Sequence, residues 1–376
     1  MDKPTKIIIG IIVTIIVIAG IWYGVSKKQI APTTKEPIKI GATLPLTGQM
    51  STFGVDVKNA VELAIKEINE GGGIDGRQIK VIYEDDQCDP KLSVTTVNKL
   101  MNVDGVKVII GPFCSGASLS AAPVAQEKKV LLLSGSATNP KLADYNLFFR
   151  TISSDAYQGM FGADYVFNKL GKRRVAIAYA QNDYCVGLKD VFKKRFTELG
   201  GKIVIETEHQ EKATDLRTQI TKIKNTDAEI VYLIAYPTDA GHFLKQAKEL
   251  GLNLPIFSPE VMENPDVIEI AKEAAEGVLF TRAKEIKNEE FLNKYKSVYG
   301  KEPGAYDAFY YDGVKIIGGA LKRCNEDVDC IRNYLVNLKD YPGVSGKINF
   351  NENGDLVGAE FMIKTIKNGQ FVPYEE

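Results

Sequence analysis

The residues best placed to do chemistry follow the ends of strands. Ser115 opens a helix directly after one strand, where unpaired N–H groups and a partial positive charge suit a carboxylate. The plainer alternative is an ordinary capping serine. Ser136, Ala137 and Thr138 follow the next strand, and their loop offers backbone groups plus the Thr138 hydroxyl. Glu260 follows a strand in the second half of the chain, with Pro259 fixing the backbone before it. A carboxylate facing a cleft is the natural partner of an α-ammonium, and exclusion of water strengthens such a pair. Most glutamates are instead surface acids. Tyr184 and Tyr236 sit just past strands of the same half, where they could close over a small molecule or simply pack.

Nothing else in the chain argues for catalysis. Its two histidines, His209 and His242, have no obvious nucleophile as partner, and no G-x-S-x-G elbow or P-loop occurs. Gly71, Gly73 and Gly76 match G-x-G-x-x-G, but they close a helix and precede a strand, the reverse of a dinucleotide site. Glu84, Asp85, Asp86 and Asp89 lack the spacing of a calcium loop and read as a solvated turn. Asn351 to Asp355 reads as a hairpin turn. No metal or cofactor is expected. With 47 basic and 48 acidic residues, the chain also has no clustered charge to recruit a nucleic acid.

The elements that must position these residues alternate from Ile38 onward. Strands at Ile38–Leu44, Gln78–Tyr83, Val106–Ile110 and Val130–Leu133 are separated by helical spacing over Phe53–Glu70, Pro90–Met101 and Ser115–Glu127. The rhythm resumes with strands at Arg174–Ala180, Lys202–Glu206, Glu229–Ala235 and Pro255–Ser258, with helices between. Such alternation predicts parallel sheets with helices on both faces, in two doubly wound α/β lobes. Asn288 to Leu338 is mostly helical, and Lys347 to Val372 reads as short strands with a turn at Asn353-Gly354.

Two features bear on location. Ile7–Val25 carries no charge and is about the length that spans a bilayer as a helix, so it predicts an N-terminal anchor; a cleaved signal is the alternative. Residues 26–37 read as a linker. Cys88 and Cys114 fall in one lobe, Cys324 and Cys330 are near neighbours, and Cys185 is left single. Two disulfides would put the domain outside the cytoplasm; five reduced thiols would keep it inside.

With these elements placed, the sequence resembles the type I periplasmic binding proteins, specifically the leucine/isoleucine/valine-binding family. The resemblance runs from Ile38 to about Phe371. It is carried by Tyr83-Glu84-Asp85-Asp86-Gln87-Cys88-Asp89-Pro90, Ile110-Gly111-Pro112-Phe113-Cys114-Ser115, and Ser134-Gly135-Ser136-Ala137-Thr138-Asn139-Pro140. Phe149-Arg150-Thr151, Asn182-Asp183-Tyr184 and Ser258-Pro259-Glu260 add to it.

The resemblance implies a clamshell with three hinge crossings. One lobe takes residues 38–153 plus 284–360, and the other takes 154–283 plus 361–376. It implies a Cys88–Cys114 disulfide; Cys324–Cys330 is inferred from proximity alone. Ser115 and Thr138 are expected to hold a ligand carboxylate, the Ser136 carbonyl and Glu260 its ammonium, and Phe53 an apolar side chain. Cys185 departs from the family, which has a small residue there. The implied function is capture of a small amino acid, branched-chain or otherwise aliphatic, by a monomeric protein that serves an ABC permease. An amide or urea ligand and a sensing ectodomain are the alternatives.

Overall fold

The computed structural model describes residues 35–284 and 288–375. The Ile7–Val25 stretch read as an anchor lies outside them, and among the described residues no helix is long and apolar enough to cross a membrane. The first sheet consists of β1 (Ile38–Leu44), β2 (Ile79–Asp85), β3 (Val108–Ile110), β4 (Leu131–Ser134) and β5 (Phe148–Arg150), all parallel in the order β2-β1-β3-β4-β5. Helices α1 (Ser51–Glu70), α2 (Pro90–Asn102) and α3 (Ser115–Glu127) cover its two faces. The short central strands are apolar throughout because both faces are buried. Val108 and Ile110 join the core that includes Val57 and Val61 of α1. Ile109 points the other way, among Val97 and Leu100 of α2 and Ala121 of α3.

The second sheet repeats that order. It contains α4 (Asp155–Asp164), β6 (Arg174–Ala180), α5 (Asp183–Glu198), β7 (Lys202–His209), α6 (Arg217–Lys224), β8 (Ile230–Ile234), α7 (Pro237–Glu249), β9 (Ile256–Ser258), α8 (Pro265–Ala271) and β10 (Leu279–Ala283) in chain order. Its strands run β7-β6-β8-β9-β10 in parallel. The chain then returns to the first lobe through α9 (Glu289–Tyr299), α10 (Asp307–Cys324), α11 (Val328–Val336) and the ribbon of β11 (Tyr341–Gly343) and β12 (Gly346–Ile348). Finally β13 (Phe361–Lys367) and β14 (Gln370–Pro373) cross back and extend the second sheet antiparallel beside β10. The chain therefore passes between the sheets three times.

Local chemistry sets several of these boundaries. Asp89 caps α2 by accepting from the Lys91 and Leu92 N–H groups, with Pro90 at the first helical position. Ser154 caps α4, and Asn182 caps α5 by accepting from Cys185 N–H at 2.8 Å. Both disulfides, Cys88–Cys114 and Cys324–Cys330, are formed, and Cys185 is a buried free thiol.

Two details correct the sequence reading. The acidic run at the end of β2 is solvated only in part: Asp89 is exposed, whereas Asp86 is fully buried and accepts from Cys88 N–H, Asp85 accepts from Leu46 N–H, and Glu84 pairs with Lys99. Burial was invisible because the run of carboxylates hid which one points inward. A second Asn-Gly turn was also missed. Asn368 (φ 52°) and Gly369 (φ 67°) join β13 to β14, the two left-handed positions that a tight hairpin requires. The Asn353-Gly354 turn is present as well, with Gly354 N–H donating to the Asn351 carbonyl.

Candidate functional site

The carboxyl ends of both parallel sheets meet at one cleft. From the first lobe, Ser115 begins α3 and is nearly fully buried; it is not the cap, since Cys114 occupies that position. The backbone N–H groups of Thr138 and Asn139 both donate to Ser115 Oγ, each at 3.2 Å. With its lone pairs engaged, the hydroxyl hydrogen remains to be given to an acceptor. The loop after β4 is fixed from below by Arg150, which is wholly buried. Its guanidinium donates to the carbonyl of Asn139 at 2.9 Å and, through Nε, to Asp355 at 2.7 Å.

Ser136 Oγ donates to the Phe113 carbonyl at 2.7 Å and lies 2.8 Å from the Tyr310 hydroxyl. Thr138 Oγ1 donates to Asp155 Oδ2 at 3.0 Å. Its hydrogen is thus committed, and toward any further partner the oxygen can only accept.

From the second lobe, Glu260 begins a short 3-10 turn after β9 and is 3% exposed. Its carboxylate accepts from the Tyr184 hydroxyl at 3.2 Å, from the Tyr306 hydroxyl at 3.5 Å and from the side-chain amide of Gln158. Tyr184 and Tyr236 stack face to face, 5.9 Å apart and 2° from parallel. Burial pushes the Glu260 carboxyl above its usual range, although the Gln158 and Tyr184 hydrogen bonds and the Arg282 charge oppose the shift. Asp155 is raised further, by burial and then by the Glu260 charge; its Oδ1 has no hydrogen-bond partner among the described residues. Glu260 and Asp155 are thus two buried carboxyls, and the Glu260 charge disfavours ionisation of Asp155.

A cavity of about 10 Å³, space for roughly one water, lies where these groups converge. Ser115, Ser136, Tyr184, Tyr236 and Glu260 line it, together with Met50, Phe113, Cys114, Val261 and Tyr306. Three expected residues are not in its wall. Ala137 is buried with its N–H on Ser134 Oγ, Thr138 turns to Asp155, and Phe53 stands behind Phe113 with ring centroids 5.9 Å apart. Tyr306, Phe113, Asp155 and Gln158 were not singled out from sequence. Tyr306 comes from far along the chain, and Asp155 and Gln158 lie one turn apart on a helix with no motif. Phe113 gave the only available signal, its place directly before the Cys114-Ser115 pair.

The periplasmic binding protein family model matches residues 37–370. A leucine-, isoleucine-, valine-, threonine- and alanine-binding protein of Pseudomonas aeruginosa is 29% identical over 336 residues, covering 87% of this chain and 89% of that protein. The structure of a leucine-binding protein from Thermotoga maritima superposes with a TM-score of 0.84 at 29% identity, covering 90% of this chain and 98% of the other. A branched-chain amino acid transporter substrate-binding protein from Streptococcus pneumoniae, solved with isoleucine, gives 0.82 at 28%, covering 89% and 97%. The chain belongs to the type I periplasmic binding proteins of the Leu/Ile/Val-binding family, which are transport components and not enzymes. Such proteins act on the extracytoplasmic side, in keeping with two disulfides.

Proposed function

We propose that the protein is the solute-binding component of an ABC importer, capturing a small aliphatic L-α-amino acid between its lobes and delivering it to a membrane permease. In this reading Ile7–Val25 tethers the monomer beside that permease and raises its effective concentration there. The observation that carries the proposal is Glu260: a buried carboxylate in the cavity wall, oriented by Tyr184, Tyr306 and Gln158. An α-ammonium would offset the desolvation that raises its pKa.

The remaining polar groups divide the ligand between them. Ser115 has a hydrogen to donate and sits at the α3 N-terminus, which suits the carboxylate. Thr138 stands outside the cavity wall with its hydroxyl on Asp155, so it positions the loop that carries the Ser136 carbonyl, the expected acceptor of the ammonium. A thermal-shift series over amino acids, small amides and urea tests the reading. Amino acids alone should raise the melting temperature in a saturable way, and Glu260→Ala should abolish the shift. Stabilisation by amides or urea alone would assign a ligand without an ammonium; none at all would favour a sensing role with another ligand.

A further inference from the structure

Phe113 lines the cavity together with the apolar side chains of Met50 and Val261. Its ring is held on three sides. Tyr310 stacks on it at 6.1 Å and 2°, Phe53 at 5.9 Å and 17°, and Tyr306 meets it edge-on at 5.1 Å. The backbone is pinned as well: the Phe113 carbonyl accepts from Ser136 Oγ at 2.7 Å, and the next residue, Cys114, is bridged to Cys88. Tyr310 cannot slide away, because its hydroxyl lies 2.8 Å from Ser136 Oγ. Every ring in the block is less than a tenth exposed, so no member can turn outward without opening the core.

The opposite wall is different in kind. Tyr184, Tyr236 and Glu260 belong to the second lobe and move with it about the three crossings, so a small change of lobe angle makes room for a ligand's ammonium and carboxylate. The same motion does not displace Phe113, whose neighbours in the aromatic block all belong to the first lobe or to the α10 segment packed on it.

We propose that Phe113 is a specificity-determining residue that caps ligand side-chain size near one methyl group, so that the ligand is glycine or alanine and not leucine, isoleucine or valine. The inference rests on the amino-acid reading of the site and narrows it. The whole cavity has room for roughly one water, so lobe opening must supply the space for a ligand's polar groups. A first-lobe wall that does not yield leaves none for a side chain of three or four carbons, and overpacking such a wall is unfavourable.

Isothermal titration of glycine, alanine, valine, leucine and isoleucine tests it on the wild type and on Phe113→Leu and Phe113→Ala. The wild type should bind alanine or glycine at least tenfold more tightly than leucine. Each variant that folds, judged by circular dichroism, should shift the alanine-to-leucine ratio at least tenfold toward leucine. If neither variant folds, the wild-type series alone decides. Tightest wild-type binding to leucine, isoleucine or valine would overturn the size limit while leaving the amino-acid reading intact. A folded variant with an unchanged ratio would remove Phe113 from the role. Binding of no amino acid would overturn both.

Discussion

Burying the Glu260 carboxylate is unfavourable unless something answers its charge, and the cleft answers it with hydroxyl and amide donors plus the more distant Arg282. An ammonium entering beside it would complete the set. Glu260→Gln keeps the shape and removes the charge, so amino acid affinity should fall about 100-fold by titration calorimetry, the loss of roughly 3 kcal/mol expected for one buried charge-assisted contact. The pH dependence has a definite sign. Glu260 and Asp155 both have raised pKa values without ligand, and an ammonium favours their ionised forms, so binding releases protons. Affinity should therefore rise with pH as these carboxyls ionise, above the ordinary carboxylate range, and the rise should shrink in Glu260→Gln. The parts of this site that were legible in sequence, Ser115, Ser136, Tyr184, Tyr236 and Glu260, all lie just past strand ends, where open α/β sheets bind their ligands. Asp155 and Tyr306 were not legible, because nothing local distinguishes a helix-opening aspartate or a distant tyrosine from structural ones. Thr138 was named, but the partner that fixes its hydroxyl was not.

Helix N-termini from the two lobes face each other across the cleft. Asn139, in the loop after β4, donates from Nδ2 to the Asp183 carbonyl at the start of α5, 2.6 Å away. One turn along α5, a Cβ on Gly187 would come within 2.5 Å of the same Asn139 nitrogen. Glycine there lets the lobes approach. Gly187→Ala should displace Asn139, break this interlobe hydrogen bond and weaken ligand binding several-fold. The melting temperature without ligand should stay within a few degrees, and small-angle scattering should report a more open form. A compact, fully binding variant would remove the contact from closure. The alternation of elements was legible from β1 to β4 and from β6 to β9, where each strand and helix carries its own period, whereas the short β5 and α4 between the two runs were not read. The final hairpin was less so, since two Asn-Gly pairs compete and only tertiary pairing with β10 selects Asn368-Gly369 as its turn.

For the molecule as a whole, the parallel runs β1–β4 and β6–β9 of the two sheets follow from the βαβ rhythm, whereas the strand order and the three crossings do not, and the crossings became predictable only through resemblance. The packing also buries acids away from the cleft. Burial pushes Asp307 up to about 7 and Asp86 up to about 6. Between their ordinary values and these, the folded state binds more protons than the unfolded, so their contribution falls as pH rises from about 4 to about 7. Asp307→Asn removes one such group, and relative to wild type it should gain stability at pH 8 over pH 5, by up to a few kcal/mol in urea titrations. An unchanged difference across that range would mean Asp307 ionises freely in the fold. The central claim, recognition of an α-ammonium by Glu260, is tested most directly by titrating the protein with L-alanine and with L-lactate, which differ only in carrying an ammonium or a hydroxyl at the α-carbon. The account predicts that alanine binds at least 100-fold more tightly and that Glu260→Gln erases most of the difference. Equal affinities, or a preference that survives in Glu260→Gln, would contradict it.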